Sequence, residues 1–200
     1  PKQTYLMVSH AAMQNINRMR IKGANVMRNV YLDYSATTPV KEEVLKEMLP
    51  YFTEKFGNPS SLYDTGLEAK AAVTHAREQV AALIHADPKE VFFTAGGTES
   101  DNWALFGACD KLKEKGNHII TTKIEHHAIL HSCAFLEKHG FDVTYVGIDK
   151  DGRVNLKELE DAITDKTILI SVMMVNNEIG TVQPIREIAK IAKAHKILFH

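Results

Sequence analysis

The sequence predicts an α/β fold: a three-layer sandwich in which a mostly parallel sheet is covered by helices on both faces. Short apolar strands alternate with helical segments after residue 117. Such alternation is typical of parallel strands joined by crossover helices, which bury both faces of the sheet. Polar clusters also follow three of the apolar segments. Because ligands in these folds bind beyond the carboxyl ends of the strands, the clusters predict one site at that edge.

The stretch from Phe92 to Asn102 joins a predicted strand to a predicted helix. Val91 and the two phenylalanines after it predict a buried strand, and two glycines then permit a tight turn. Thr98 or Ser100 is the expected helix cap. A helix start without nearby side chains offers free N–H groups at the positive end of the dipole, which suits a phosphate. An ordinary strand-to-helix connection has the same pattern, so this motif alone leaves both interpretations open.

Composition excludes several classes of protein. The 200 residues carry a net charge of -1 and are 44% hydrophobic, which is typical of a globular chain. The pI near 6.9 gives no general attraction to nucleic acid or to anionic lipid, and no apolar run approaches the length of a membrane span. We therefore expect no nucleic-acid or membrane partner and a small-molecule substrate. Cys109 and Cys133 are too few for a disulfide framework, are expected to be core thiols, and indicate a reducing compartment.

The first 29 residues differ from the rest, because they contain lysine and arginine but no aspartate or glutamate. They lack the apolar core of a secretory signal and the serine content of a transit peptide. We predict that residues 1–29 are a basic leader or flexible arm and that residues 30–200 form the folded domain.

Apolar periodicity predicts the remaining elements. A helix is expected over residues 40–52, and a second begins at Thr65 in a capping box with Glu68. Further helices are predicted over 128–139, 156–163 (capped by Asn155) and 185–194, and strands over 118–122, 142–147, 167–174 and 197–199.

Five motifs together carry a resemblance to a known family. In chain order they are LDYSATTP (32–39), FGNPSS (56–61), TAGGTESDN (94–102), Glu125-His126 and VNNEIG (175–180). Their order and spacing resemble cysteine desulfurases of the class V aminotransferase type, from about residue 30 to residue 200. Each motif is weak alone, and the combination is specific.

The resemblance implies the large domain of a fold-type-I transferase that binds pyridoxal 5'-phosphate. Gly97 and Thr98 match the family's phosphate-binding turn. His126 matches the histidine that stacks on the pyridine ring and is the candidate catalytic residue, since imidazole is flat and suited to proton transfer. Asn177 matches the asparagine at the phenolic oxygen of the cofactor. The implied reaction converts L-cysteine to L-alanine and passes the sulfur to an enzyme persulfide for iron–sulfur cluster assembly.

The resemblance also implies a homodimer that delivers sulfur to a scaffold or other acceptor protein, in the cytoplasm or alternatively in the mitochondrial matrix. Three family groups have no match in this sequence: the cofactor-bearing lysine, the aspartate that pairs with the pyridine nitrogen, and the persulfide cysteine. All three are expected beyond His200. We therefore expect the 200-residue chain alone to be inactive.

Other interpretations remain open. A selenocysteine lyase or another class V enzyme would share the front-half motifs, and a non-catalytic interaction module is a third possibility. His127 and His131 are one helical turn apart and could form half of a metal site, although no carboxylate has matching spacing on that helix and no metal is predicted. Asn176 and Asn177 could simply form a turn.

Overall fold

A computed structural model describes residues 30–200, so the predicted leader over 1–29 lies outside the described residues. The chain divides into a first unit that ends at Ala69 and a second unit from Lys70 to His200. The helices are α1 (Glu42–Met48), α2 (Pro50–Thr53), α3 (Asp64–Ile84), α4 (Gly97–Leu112), α5 (His127–Glu137), α6 (Leu156–Asp161) and α7 (Ile185–Ala194). The strands are β1 (His118–Thr122), β2 (Asp142–Val146), β3 (Thr167–Ile170) and β4 (Leu198–Phe199).

The first unit contains two short helices where one was predicted over 40–52. The first, α1, ends at Met48, and Pro50 is the first residue of α2. Proline has no backbone N–H and cannot continue the hydrogen-bond ladder of the preceding turn, which explains the break. The prediction of one continuous helix is therefore wrong at this residue.

The start of α3 also differs from the prediction. The helix begins at Asp64, so Thr65 lies inside its first turn, and Glu68 pairs with Lys55 at 3.2 Å. A Cβ built on Gly57 would lie 2.0 Å from the carbonyl oxygen of Thr65. Only glycine fits this contact, which holds the loop that precedes α3 against the first turn of the helix.

The second unit contains the predicted parallel sheet. Its strand order is β2-β1-β3-β4, and every pairing is parallel. In register, Ile119 lies beside Val143 on one side and Leu169 on the other. The prediction of β1 is correct to the residue, whereas β3 ends at Ile170 instead of residue 174. The segment after Ile170 forms the loop that carries part of the candidate site.

Two hydrophobic clusters cover the opposite faces of this sheet. Ile119 and Leu169 belong to the cluster that the sheet forms with α4 and α5. The two helices contribute Leu105, Cys109, Ile129, Cys133 and Leu136. Ile120 and Ile170 belong to the cluster on the other face, which the sheet forms with α6 and α7. These helices contribute Leu159, Ile188 and Ala192. The neighbours Ile119 and Ile120, like Leu169 and Ile170, thus point to opposite helical layers, as the alternation of a strand requires. The three-layer α/β prediction is confirmed.

The segment Val91–Phe93 is not a strand, which corrects the prediction of a buried one. Within residues 30–200 it has no strand partner, and the carbonyl of Val91 accepts instead from Arg77 Nε at 3.0 Å. Phe92 packs edge-on to Trp103, with ring centroids 5.4 Å apart, and Arg77 lies over the ring of Phe93. The side chains of Phe92 and Phe93 are more than half exposed. Their apolar character indicated burial, but no neighbouring strand among the described residues provides it.

No helix among the described residues combines the length and apolar character that crossing a bilayer requires.

Candidate ligand site at the carboxyl ends of the strands

The strand order reverses between β1 and β3, and we call the place between the loops that follow these two strands the crevice. From β1 the chain continues through α5 to β2 on one side, whereas from β3 it continues through α7 to β4 on the other. Because α5 and α7 cover opposite faces, the loops after β1 and β3 separate at this point. Such a reversal of strand order is where open α/β sheets bind ligands. His126 lies in the first of these loops and Asn177 in the second.

Gly97 and Thr98 form the first turn of α4. The N-cap residue is Gly96, which has no side chain to cap the helix. The prediction that Thr98 or Ser100 caps the helix is therefore wrong. Ser100 Oγ instead lies 2.7 Å from Thr94 Oγ1, and Ala95 N–H donates to Glu99 Oε2 at 2.6 Å. These two hydrogen bonds hold the residues that precede α4 against its first turn.

The N–H groups of Gly97 and Thr98 have no acceptor among residues 30–200. A Cβ built on Gly96 or on Gly97 would meet nothing within 4 Å, and neither residue has a left-handed φ. The packing of the described residues therefore gives no reason for glycine at either position. An anion that approaches the backbone closely does give one, so the turn fits a phosphate group.

His126 is the N-cap of α5. Its Nδ1 accepts a hydrogen bond from the backbone N–H of Ala128 at 3.1 Å, and its side chain is exposed. Because the Nδ1 lone pair is used, the neutral ring carries its proton on Nε2. The cap therefore holds the imidazole in one orientation and leaves Nε2–H as a donor.

Thr98 and His126 line the same cleft, which has a volume of about 700 Å³. A pair of polar side chains joins its two walls. Asn102 donates from Nδ2 to the carbonyl of Thr98 at 2.6 Å and accepts at Oδ1 from Ser132 Oγ at 2.7 Å. Ser132 Oγ also lies 2.7 Å from the carbonyl of Ala128. The first turns of α4 and α5 are thus connected by side chains as well as by apolar packing.

Asn177 is exposed and does not belong to the lining of this cleft. Its Nδ2 donates to Glu178 Oε1 at 2.9 Å. Its neighbour Asn176 is buried and holds the turn: Oδ1 accepts from the N–H groups of Glu178 and Ile179, and Nδ2 donates to the carbonyl of Ile124 at 2.9 Å. The turn that carries Asn177 is therefore attached to the loop that carries His126.

Glu125 is the buried carboxylate of the site. Its Oε1 accepts from Thr122 Oγ1 at 2.7 Å, and both carboxylate oxygens accept from Met173 N–H at 3.0 and 3.1 Å. Burial raises the pKa of Glu125, while the hydrogen bonds from Thr122 and Met173 partly oppose that rise. The carboxylate bridges the crevice between the loops after β1 and β3.

The alternative of a metal site at His127 and His131 lacks a complete set of ligands among the described residues. His127 and His131 stack with ring centroids 5.1 Å apart, but in the part of the chain that the structure describes, no group of three or more His, Cys, Asp and Glu residues could hold a metal ion. Both cysteines are buried, and burial raises the pKa of the Cys109 thiol to about 11 and that of Cys133 to about 12. They are core thiols, as predicted.

Sequence reasoning missed the roles of four residues: Asn102, Glu125, Ser132 and Asn176. Each is a polar residue that is buried or half-buried and connects two segments of the site. The signal available in the sequence was position, because Glu125 and Asn176 lie in the segments that follow β1 and β3, and Asn102 lies four residues after Thr98. Long-range partners such as Met173 for Glu125 cannot be read from local spacing.

Comparison with known proteins gives a consistent result. The family model "Aminotransferase class-V" matches residues 30–200. The chain is 59% identical over 173 residues to a cysteine desulfurase IscS of Clostridium botulinum, with 86% of this chain and 44% of that protein aligned. It is 56% identical over 182 residues to a cysteine desulfurase IscS of Methanosarcina thermophila, with 90% of this chain and 45% of that protein aligned. The chain thus spans less than half the length of these curated relatives.

Solved structures agree. A "NifS-like protein" superposes with a TM-score of 0.83 at 42% identity, over 86% of this chain and 48% of that one. A structure described as "SspA in complex with cysteine" superposes with a TM-score of 0.82 at 44% identity, over 85% of this chain and 49% of that one.

Proposed function

This chain belongs to the aminotransferase class-V family. From that premise we propose that it forms part of the cofactor-binding domain of a pyridoxal-phosphate-dependent cysteine desulfurase. The proposed reaction converts L-cysteine to L-alanine and transfers the sulfur to an enzyme persulfide. The similarity to cysteine desulfurases IscS in a bacterium and an archaeon supports this choice within the family. The solved relative described as bound to cysteine supports the substrate.

The observation that carries the proposal is the meeting of Thr98 and His126 in one cleft beside a reversal of strand order. The anion-binding turn and the flat imidazole come from two loops that are distant in sequence. A ligand with a phosphate at one end and an aromatic ring at the other would contact both. This combination separates a pyridoxal phosphate site from a site for free phosphate.

The residues present fit such a cofactor. The free N–H groups of Gly97 and Thr98, with the Thr98 hydroxyl, would hold the phosphate. His126 would lie against the ring, and Asn177 would donate an amide N–H to the phenolic oxygen after releasing Glu178. When bound, pyridoxal phosphate supplies an electron sink for bond cleavage at the substrate amino acid.

The capped state of His126 defines what its imidazole can do. Nε2–H is positioned to donate a hydrogen bond, because Nδ1 is occupied by the Ala128 N–H. Acceptance of a proton at Nε2 would require transfer of the ring proton to Nδ1 and loss of the cap. His126 is therefore proposed as a donor toward the reacting molecule in its resting state.

For the whole protein we propose a homodimer that passes sulfur to an acceptor protein for iron–sulfur cluster assembly in the cytoplasm. The relatives named IscS support the assembly role, and their bacterial and archaeal sources favour the cytoplasm over the mitochondrial matrix. The cofactor-bearing lysine expected beyond His200 is needed for turnover, so the 200-residue chain alone should release neither sulfide nor alanine from cysteine.

The test is an absorbance titration of the full-length protein with pyridoxal phosphate, compared with His126→Asn, His126→Ala and Thr98→Ala. Asparagine is a good N-cap but lacks the flat ring, so His126→Asn should keep the melting temperature and weaken cofactor binding. His126→Ala should weaken binding and also lose about 1 kcal/mol of stability with the cap. Thr98→Ala should weaken binding with little loss of stability.

Cysteine turnover, measured as sulfide and alanine, completes the test. Absence of cofactor uptake by the wild-type full-length protein would contradict the proposal. Equal cofactor affinity in wild type and His126→Asn would remove His126 from the site. Brisk turnover by the 200-residue chain alone would contradict the expected need for a further lysine.

A further inference from the structure

We propose that Glu125 and Asn176 are positioning residues that set the separation of His126 and Asn177 across the crevice. This inference rests on the proposed function and deepens it. Glu125 precedes His126 and Asn176 precedes Asn177, so each buried residue is one peptide unit from an exposed candidate ligand-binding residue. Together we call Glu125 and Asn176 the crevice clamp.

The clamp joins two loops that the strand order sends apart. Glu125 lies in the loop after β1 and reaches Met173 N–H in the loop after β3, whereas Asn176 in the latter loop reaches back to the carbonyl of Ile124. The two side chains reach across from opposite loops, although the donor belongs to the loop after β3 in both bonds. They resist both sliding and opening, since either movement would leave buried groups without partners.

The clamp is more than local turn geometry. The bonds from Glu125 and Asn176 span 48 and 52 residues of sequence. Glu125 is only 7% exposed and Asn176 only 6% exposed. Burial of a carboxylate costs stability, as the raised pKa of Glu125 reflects. A hydrophobic residue would cover the crevice without that cost, so the cost points to a requirement for defined loop positions.

The clamp also differs from the connection made by Asn102 and Ser132. That pair ties the turn at Thr98 to α5 and so relates the phosphate-binding turn to His126. The clamp instead relates His126 to Asn177 and makes no bond to Gly97 or Thr98. Its loss should therefore affect contacts with a ring while leaving contacts with a phosphate intact.

The experiment measures two dissociation constants in the cofactor-free full-length protein, one for pyridoxal phosphate and one for inorganic phosphate. In Glu125→Ala and Asn176→Ala we expect the pyridoxal phosphate constant to rise on the order of tenfold and the phosphate constant to stay within about twofold. Glu125→Gln retains a carbonyl oxygen for Thr122 and Met173, so it should restore most of the affinity. If Glu125→Ala does not fold, Glu125→Asp, whose shorter side chain cannot span both partners, takes its place.

The matched control is His118→Ala, at the opposite end of β1. His118 is also buried, and its ring nitrogens lie 2.7 Å from Thr167 Oγ1 and 2.9 Å from Thr144 Oγ1, so it too bonds to neighbouring strands. Its loss should lower the melting temperature comparably without changing either constant. The clamp is overturned if its variants keep wild-type affinity, or if both ligands weaken together as stability falls. Failure of the wild type to bind pyridoxal phosphate would instead overturn the proposed function.

Discussion

His118 shows how one buried side chain can make stability depend on pH. It begins β1 and lies between threonine hydroxyls of the two neighbouring strands. Burial lowers the pKa of His118, with a smaller opposing effect from Asp142. The folded chain therefore resists protonation at this ring more than the unfolded chain does.

We expect the free energy of unfolding to fall as pH drops below 6.5, the ordinary histidine pKa. The unfolded state takes up the proton first, so the contribution of neutral His118 is fully present above that pH and is lost progressively toward the lower, folded-state pKa. Urea unfolding at pH 7.5 and pH 5.5, compared with His118→Gln, measures this contribution. An identical pH dependence in the two proteins would contradict the assignment to His118.

The residues of the candidate site were predictable to different degrees. Gly97, Thr98 and His126 could be named as candidates because each lies at a recognisable local signal, a glycine turn or the end of an apolar strand. The cap of α4 was not, because Thr98 and Ser100 are both good capping residues and the choice of Gly96 depends on Thr94 and Glu99. Competition between several nearby polar groups cannot be resolved from residue types alone.

At the scale of elements, the contact between α4 and α5 combines apolar packing with the pair Asn102 and Ser132. Leu105 and Cys109 of α4 share a buried cluster with Ile129 and Cys133 of α5. Apolar contacts alone would permit small shifts of one helix along the other. The bond between Asn102 and Ser132 selects one register and so fixes the distance between the two helix starts.

A double-mutant cycle on Asn102→Ala and Ser132→Ala tests this coupling. Each single variant should lose about 1 kcal/mol of stability, and the pair should lose less than the sum by about 0.5–1.5 kcal/mol. Chemical unfolding of the three variants and the wild type gives the coupling energy. Strict additivity would show that the two side chains act independently.

Most elements were predictable because their apolar periodicity agrees with their final environment. Helix α7 and strand β1 match their predicted limits, and Asn155 caps α6 by accepting from Glu158 N–H. Val91–Phe93 failed because its pattern has the composition of a strand, whereas a strand also requires a partner. Pro50 was visible in the sequence, and its effect on the helix over 40–52 was predictable from the missing N–H alone.

At the scale of the whole second unit, the two hydrophobic clusters make the cysteines inert. Cys109 and Cys133 lie in the cluster between the sheet and the pair α4–α5, and both are 1% exposed or less. Their raised pKa values leave little thiolate at neutral pH. We therefore expect neither thiol to react as a nucleophile in the folded state.

We expect both cysteines to resist a thiol-specific reagent at pH 8 in the folded protein and to react fully in urea. Labelling should then follow unfolding of the core, and mass spectrometry of peptides containing Cys109 or Cys133 would measure it. Cys109→Ala and Cys133→Ala should be destabilised by about 1–2 kcal/mol through loss of packing. Rapid labelling of either sulfur without denaturant would contradict its burial.

The reversal of strand order at β1 and β3 has one further consequence. A flat molecule held in that crevice would have the start of α5 on one side and the turn after β3 on the other, and these two neighbourhoods carry different atoms. Its two sides would therefore be chemically distinct to the protein. Such unequal surroundings would favour one stereochemical outcome for any bond made or broken there.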